Sequence, residues 1–425
     1  MKDILFLKKF YNILFIISIS LLFLVNSEYI PIDKKFEEPI KDFIKKNREG
    51  LLLSNKKFKK VENPKVSIVI PIYNEENKIL STIRSIQNQN LQEIEIVCVN
   101  DNSNDNTLSK LKELRKEDPR ITIKTNKINR GILFDRINGA LEGKGEYIAF
   151  INPDDQFSNS DILKNAYEAA TKKFNENIEL VRFQVCGSGI NNNEVKENLL
   201  LISKIEKDNF NKILKQPEIL DNYFKNIKEI KDSDLFYDKL YSKKLMRRIS
   251  NYIGPHIWNQ NLTLINDILF SYATMENAKS FVNIDEIGYW HLINTPSNTP
   301  NMEWEIDGDR LKYPELSNKV IGDFIIVTER LFELTEKEKN SLEYREIALR
   351  LLGEKKYMKA VARSIHYDKY LRLCEKLVNW EFIDKEAKER TLKFAKDLLS
   401  FKVGSDRIFG YILDEEDEDD GLYDL

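Results

Sequence analysis

The chain has 425 residues, 42% hydrophobic and 32% charged, so it can bury a sizeable core and is long enough for two domains. Its 66 basic and 69 acidic residues give a formal net charge of −3, which argues against a nucleic-acid partner and against a disordered chain. The three cysteines and three histidines are far apart in the sequence, which argues against a zinc site and a disulfide framework.

The N-terminus carries an apolar segment, residues 10–25, that follows Lys2, Lys8 and Lys9. Residues 1–27 fit a cleaved signal peptide or an uncleaved signal-anchor, and the sequence leaves both open. In either case the basic flank would place the rest of the chain on the far side of a membrane. We therefore expect the secretory pathway: the ER or Golgi lumen as a single-pass membrane protein, or secretion to the cell surface if the segment is removed.

Composition divides the rest of the chain into four parts. Residues 28–63 are polar and lysine-rich, which predicts a solvated stem or spacer. Residues 64–300 carry strand and helix patterns, and residues 301–410 carry apolar stripes at helical spacing, such as Val320, Phe324, Val327 and Leu331. The acidic tail, residues 411–425, is most simply solvated.

Strand and helix patterns alternate through the first part of residues 64–300. Short β-branched and aromatic runs predict strands at 66–71, 94–99, 121–124 and 147–152. Apolar residues at helical spacing predict a helix after each of the first three strands. This order predicts an α/β fold with a mostly parallel, Rossmann-like sheet and helices on both faces, followed by a C-terminal helical region.

Polar side chains follow three of these strands, where each strand ends. They are Tyr73, Asn74 and Glu75 after the first strand, Asp101 after the second, and Asp154 and Asp155 after the fourth. The carboxyl ends of parallel strands meet at one edge, so these side chains should converge. Paired carboxylates there suit Mg²⁺ or Mn²⁺ bound to phosphate oxygens, although a solvated turn is the alternative. The sequence has neither a GxGxxG after the first strand nor a GxxxxGK[ST] motif, which excludes dinucleotide and P-loop sites.

These motifs resemble those of the family 2 glycosyltransferases, which have the GT-A fold. The matching segments are Val66-Ser-Ile-Val-Ile-Pro-Ile-Tyr-Asn-Glu-Glu76, Val99-Asn-Asp-Asn-Ser-Asn-Asp105, Asn129-Arg-Gly131 with Arg136 and Gly139, and Gly145-Glu-Tyr-Ile-Ala-Phe-Ile-Asn-Pro-Asp-Asp155. The resemblance covers roughly residues 64–300. Each motif alone is weak, but the ordered set is specific.

The resemblance implies a donor site for a nucleotide-diphospho-sugar, with UDP the expected nucleotide. Asp101 would hydrogen-bond the uracil and Asp154 the ribose, and Arg136 would lie near the donor. Tyr73 would lie near the base, within a group of nucleotide-sugar contacts that also includes Pro71, Asn74 and Glu75.

Metal binding is also implied by the resemblance, with Mn²⁺ or Mg²⁺ as the cofactor. Asp155 and His291 would be its protein ligands, and His291 stands where the family often has a basic residue that helps the diphosphate. A structural role for His291 is the alternative. Asn152 replaces the first Asp of the family's Asp-x-Asp-Asp pattern, which predicts weaker or shifted metal binding, and Ile137 replaces a common Asn.

The catalytic base implied by the resemblance is Asp267, in the segment Leu264-Ile-Asn-Asp-Ile-Leu-Phe270, where Asn266 replaces a frequent Glu. A cap on the following helix is the alternative role of Asp267. We expect inverting transfer of a hexosyl or N-acetylhexosaminyl group to a hydroxyl of a glycan, glycoprotein or glycolipid. If the N-terminal segment is uncleaved, it would also attach the protein to the membrane. An inactive nucleotide-sugar-binding relative is the alternative function, and a sugar nucleotidyltransferase fits less well because the first strand lacks a glycine-rich phosphate loop.

Overall fold

The computed structural model describes residues 30–51, 57–188, 190–191, 194–195, 199–203, 205, 207–229, 235–262, 266–293, 306–307, 310–311, 314–335, 367–379 and single positions between 385 and 396. It divides the chain into two compact units, Met1–Asn301 and Met302–Leu425.

The first unit contains a large sheet and its covering helices. The strands are β1 (Ile30–Pro31), β2 (Val66–Ile72), β3 (Ile94–Asn100), β4 (Ile121–Thr125), β5 (Tyr147–Phe150), β6 (Gln156–Phe157), β7 (Leu180–Ser188), β8 (Ile190–Asn191), β9 (Glu194–Val195), β10 (Leu200–Ser203), β11 (Ile213–Leu214), β12 (Lys239–Ser242) and β13 (Phe281–Leu292). The helices are α1 (Lys34–Glu49), α2 (Ile79–Gln87), α3 (Thr107–Glu117), α4 (Ile132–Glu142), α5 (Ile162–Thr171), α6 (Glu218–Glu229), α7 (Lys243–Ile253), α8 (Pro255–Trp258) and α9 (Asn266–Asn277).

The four predicted strands are confirmed as β2 to β5, each ending within two residues of its predicted bounds. They are parallel and lie in the order β4-β3-β2-β5. Every residue of β2, β3 and β5 is buried, as expected for strands covered on both faces. The predicted helices are confirmed as α2, α3 and α4. A Cβ on Gly139 would come within 2.6 Å of Val69, so this glycine lets α4 lie close against β2.

The strand order reverses at β2, because β3 lies on one side of it and the later strand β5 on the other. In α/β sheets, ligands bind outside the carboxyl ends of the strands at such a point. The turns that follow β2, β3 and β5 therefore share the edge where the sequence predicts the site.

The other half of the sheet is mixed, whereas the sequence predicted a mostly parallel sheet. β12 pairs antiparallel with both β5 and β7, and β13 runs parallel to β7. At its carboxyl end β13 pairs antiparallel with β6, with Tyr289 opposite Phe157 and Trp290 opposite Gln156. Since β6 directly follows Asp155, this pairing places the end of β13 beside the acidic turn.

Residues 30–50 are folded, whereas the sequence predicted a solvated stem there. β1 pairs with β10, and α1 begins after Asp33, whose side chain accepts the Lys35 N–H at 3.0 Å. Ile32, Ile40 and Ile44 are buried in a cluster with Cys186, Leu199, Trp290 and Leu292. The prediction failed because few apolar positions, widely spaced among lysines and glutamates, are enough to dock this helix.

The second unit contains α10 (Pro314–Thr335), α11 (Tyr367–Val378) and a short pairing of β14 (Ile306–Asp307) with β15 (Arg310–Leu311). Val327 and Leu331 of the predicted stripe are buried in α10, and Lys376 of α11 pairs with Glu329 of α10 at 3.2 Å. Across the described positions, the helices lack the combination of length and apolar composition that a bilayer span requires. The predicted signal or anchor segment and the acidic tail lie outside those positions.

Truncation of Ile44 tests whether α1 is part of the fold. Ile44→Ala should lower the free energy of unfolding by about 2–5 kcal/mol, since it opens a cavity in a closed cluster. Phe36→Ala on the same helix is the control, because Phe36 is 51% exposed and its loss should cost at most about 0.5 kcal/mol. Equal urea midpoints for Ile44→Ala and the unmodified chain would contradict the docking of α1.

Candidate active site

Asp155 is completely buried in the turn between β5 and β6, and its carboxylate is surrounded by donors. Oδ2 accepts from the Tyr289 hydroxyl at 2.6 Å and from the Asn152 side-chain amide at 2.9 Å. Oδ1 accepts from the Leu292 N–H at 2.9 Å and lies 3.0 Å from Nδ1 of His291. Burial alone would raise the pKa of Asp155, but these partners, His291 foremost, lower it overall. An ionised carboxylate thus joins the acidic turn to the end of β13.

The alternation of side chains along β13 explains how one strand supplies these donors. Tyr289 and His291 face Asp155, while Trp290 and Leu292 face the cluster that contains α1. The indole of Trp290 is buried and donates to the Ser188 hydroxyl at 3.0 Å. Helix α1 therefore packs on the opposite face of β13, the strand whose Tyr289 and His291 contact Asp155.

His291 is the accessible member of this group, with 29% of its side chain exposed. Its ring stacks near that of Tyr237, at 6.0 Å between centroids. Burial lowers the pKa of His291, but the Asp155 carboxylate raises it by more, so the net shift is upward. The structure brings together the two residues predicted as metal ligands. Among the described residues, no cluster of three or more His, Cys, Asp or Glu side chains is arranged around a common point.

Asp154 and Glu75 share one lysine, Lys78, which was not identified as a site residue from the sequence. Lys78 Nζ lies 3.5 Å from Oδ2 of Asp154 and 3.6 Å from Oε2 of Glu75. Burial and the neighbouring Asp155 raise the pKa of Asp154, and burial with Asp154 raises the pKa of Glu75 to about 7. Negative charge is therefore crowded at this edge, and a bound cation would relieve it.

The turn after β2 is tied to the turn after β3. Asn74 adopts a positive φ of 56°, its N–H donates to the Ser103 hydroxyl at 3.0 Å, and its Oδ1 accepts the Asn104 N–H at 2.9 Å. Tyr73 is 41% exposed at this edge, whereas Pro71 is buried inside β2. An exposed aromatic residue therefore stands at this edge of the sheet.

Asp101 is buried at the end of β3 and organises the segment that leads into α4. Its Oδ1 accepts from the Asn126 side chain and from the Arg130 N–H, both at 2.7 Å, and its Oδ2 accepts from the Gly131 N–H at 2.9 Å. Gly131 has a φ of +84°, and a Cβ there would come within 2.8 Å of the Leu262 carbonyl, so the turn requires glycine. A carboxylate offers about four acceptor positions, so this one retains capacity for a ligand.

Asp267 lies in the first turn of α9, where it pairs with Arg136 rather than standing alone. Arg136 Nη1 donates to Asn266 Oδ1 at 2.8 Å and to Asp267 Oδ1. The guanidinium is buried, with its carbon 3.2 Å from the centroid of the Phe236 ring, while the Asp267 side chain is 29% exposed. Arg136 was predicted from the sequence to lie near the donor, and its guanidinium contacts the predicted base, Asp267.

Phe236 and Tyr237 connect the Asp155 and Asp267 groups. Phe236 lies under Arg136, and the next ring, Tyr237, stacks on Tyr289 at 4.3 Å. Burial, then the charges of Asp155, Asp238 and Asp267, raise the pKa of Tyr237 well above its usual value. These two aromatic residues were not identified as site residues from the sequence.

An α/β sheet whose carboxyl edge gathers acidic side chains around a strand-order reversal is the architecture of a GT-A-like domain. Residues 67–229 match the model of Glycosyl transferase family 2. The chain therefore carries a family 2 glycosyltransferase domain, which is an enzyme domain, and the resemblance drawn from its motifs is confirmed.

Several proteins are similar to parts of this chain. A GalNAc(5)-diNAcBac-PP-undecaprenol beta-1,3-glucosyltransferase of Campylobacter jejuni is 33% identical over 114 residues, 27% of this chain and 35% of that protein. The uncharacterized glycosyltransferase EpsJ of Bacillus subtilis is 25% identical over 236 residues, 56% of this chain and 63% of that protein. The structure of S. aureus TarS 1–349 in complex with UDP-GlcNAc is 16% identical with a TM-score of 0.46, covering 79% of this chain and 89% of that one. The chain thus spans less than two thirds of either curated relative.

The predicted cellular location is wrong. The relatives are bacterial glycosyltransferases, and bacteria have neither ER nor Golgi, so a place in the secretory pathway does not hold. The prediction failed because an apolar N-terminal segment does not specify which kind of cell or membrane system it belongs to.

Removal of one hydroxyl tests the hydrogen bonds around Asp155. Tyr289→Phe should lower the free energy of unfolding by about 1.5–3 kcal/mol, because the lost bond serves a buried charge. Tyr167→Phe is the matched control, since its hydroxyl donates to the exposed Glu146 at 3.0 Å, where water can replace it. Equal losses in the two variants, measured by urea unfolding, would show that Asp155 does not depend on Tyr289.

Proposed function

We propose that this chain transfers a hexosyl or N-acetylhexosaminyl group from a UDP-sugar to an acceptor hydroxyl, with inversion at the anomeric carbon. The observation that carries the proposal is the pair of carboxylate groups joined by Phe236 and Tyr237. Asp154 and Asp155 belong to one group, and the half-buried Asp267, oriented by Arg136, belongs to the other. This arrangement, with one carboxylate group at each end of the aromatic pair, suits a reaction with a donor on one side and a proton acceptor on the other.

The donor would lie along the carboxyl edge of the sheet. Tyr73 would stack on the uracil, Asp101 would accept its N–H, and Asp154 would accept from the ribose, near Pro71, Asn74 and Glu75. The exposure of Tyr73 and the remaining acceptor capacity of Asp101 support these roles.

Mn²⁺ or Mg²⁺ is the proposed cofactor, held by Asp155 and His291 on the donor side. Two protein ligands suit an ion that takes its remaining ligands from phosphate and water, and the crowded carboxyls of Asp154 and Glu75 favour a cation there. Bound there, such an ion would neutralise charge that builds up on the departing diphosphate. Asn152 donates its amide to Asp155, so it supports a ligand in place of acting as one.

The chain's own residues would act on the acceptor. Asp267 would take the hydroxyl proton as that oxygen bonds to the anomeric carbon, and the bond to the diphosphate breaks with its electron pair leaving on the nucleotide. Arg136 would fix the Asp267 carboxylate through Oδ1, and the ring of Phe236 packs against the Arg136 guanidinium. A single displacement of this kind inverts the anomeric configuration.

A glycan or a lipid-linked glycan is the proposed acceptor class. Two relatives are named as glucosyltransferases, one of an undecaprenol-linked glycan and one of poly(ribitol-phosphate), which supports a hexosyl donor and a polymeric or lipid-linked acceptor. The part of each relative that this chain covers is small, 35% and 16%, so the acceptor itself must be found by assay.

Asp267→Asn tests the base. It should lower kcat by about 10²–10⁴-fold with UDP binding unchanged, because the amide cannot accept the proton. The control is Asp285→Asn, an exposed carboxylate on β13 that should leave kcat unchanged. Full activity of Asp267→Asn would exclude the assignment, and UDP-sugar binding without turnover by the unmodified chain would indicate a binding protein instead.

Asp155→Asn and His291→Ala test the cofactor site. Both should abolish the Mn²⁺ dependence of UDP binding, measured by calorimetry with Mn²⁺ and with EDTA, since each removes a proposed ligand. Glu168→Gln on α5 serves as a control that should retain the dependence. If His291→Ala, which alters a partly exposed side chain, still binds UDP more tightly with Mn²⁺, then His291 is not a ligand.

A further inference from the structure

Asp135 is a buried carboxyl that the proposed reaction does not use. It lies in the first turn of α4 and is 2% exposed. Burying a carboxyl beside another one destabilises the fold unless hydrogen bonds compensate. Its observed partner is the Asn126 side chain, which donates to Asp135 Oδ1 at 2.7 Å.

The same Asn126 amide also donates to Asp101 Oδ1 at 2.7 Å. Both hydrogens of one NH₂ group are therefore used to bridge two carboxyls. The Asn126 backbone N–H donates to the Asn100 carbonyl at 3.0 Å, so this residue is fixed to the end of β3 as well. Asp101 in turn accepts the N–H groups of Arg130 and Gly131, so the bridge extends to the whole segment 126–131.

The charges around Asp135 favour a neutral carboxyl. Burial, then the Asp101 carboxylate at the end of β3, raise its pKa to about 8, against the opposing effects of Asn126, Arg136 on the same helix and Arg130 in the preceding turn. At neutral pH, the Asp135 carboxyl therefore holds its proton. The oxygens of Asp101 accept three N–H groups.

We infer that Asp135 is a positioning residue: its carboxyl anchors Asn126, and through Asn126 it sets Asp101 and segment 126–131 in the orientation that receives the nucleobase of the donor. The role in donor binding rests on the proposed function. The bridge itself does not, and it has its own measurable consequences.

The pH dependence of stability is the first consequence. The unfolded chain loses this proton near pH 3.8 and the folded chain near pH 8, so folded stability falls as pH rises between these values and changes no further above them. Asp135→Asn cannot ionise and keeps an acceptor for Asn126. We therefore compare the unfolding equilibrium constant of the unmodified chain with that of Asp135→Asn. The ratio of the first to the second should rise by up to about tenfold per pH unit and stop rising above about pH 8.

UDP binding by calorimetry, with Mn²⁺ at pH 7, tests the positioning role. Asp135→Ala and Asn126→Ala should each weaken UDP binding about tenfold, and the double variant should lose no more, because both break the same bridge. Asp135→Asn should stay within about twofold of the unmodified chain. Amide hydrogen exchange at Arg130 and Gly131 should become faster in the two alanine variants and stay slow in Asp135→Asn.

Asp118→Asn is the matched control, since Asp118 is also buried but pairs with Arg120 at 2.8 Å at the opposite end of β4. It should lower stability without changing the Kd for UDP. Unchanged UDP binding in Asp135→Ala, or an equal loss in Asp118→Asn or Asp135→Asn, would overturn the inference. Absence of UDP binding by the unmodified chain would instead refute the proposed function, and hydrogen exchange at Arg130 and Gly131 would then still decide whether Asp135 holds the segment.

Discussion

The buried Asp155 carboxylate is the constraint on which the site depends. A charge with no access to water must be surrounded by donors, or it destabilises the fold by several kcal/mol. Here the donors are Asn152 of the acidic turn itself and Tyr289, His291 and Leu292 near the end of β13. The pairing of β6 with β13 holds these two segments in register.

The demands of Asp155 extend outward in two directions. Behind β13, Trp290 and Leu292 pack on α1, so residues far from any chemistry help to fix Tyr289 and His291. In front, the stack of Tyr237 on Tyr289 continues through Phe236 to Arg136 and Asp267. The metal side and the acceptor side of the proposed site are therefore parts of one packed unit. A substitution on one side should alter the positions of side chains on the other.

The sequence predicted the parallel half of the fold and the edge where the site lies, because strands β2 to β5 are continuous apolar runs and the polar residues that follow them are local to each strand end. It did not predict Tyr289 opposite Asp155, or Asn126 between Asp101 and Asp135. Those contacts join residues of different elements, between 9 and 134 positions apart, and no repeat of residue types along the chain encodes them. The docking of α1 was missed for a related reason. Ile40 and Ile44 become buried only when they pack against residues of β13, which lie more than 240 positions later in the chain. Lys78 was missed because one lysine in a polar turn looks like any solvated residue until its two carboxyl partners are placed.

The configuration of the transferred sugar is the most direct test of the central claim, which is single displacement assisted by Asp267. An α-linked UDP-hexose that the chain accepts, incubated with Mn²⁺ and a glycan acceptor, should give a β-linked product, visible in the anomeric proton coupling by NMR. A product that keeps the α configuration would contradict the account, since it would require either a covalent intermediate or a different geometry of attack.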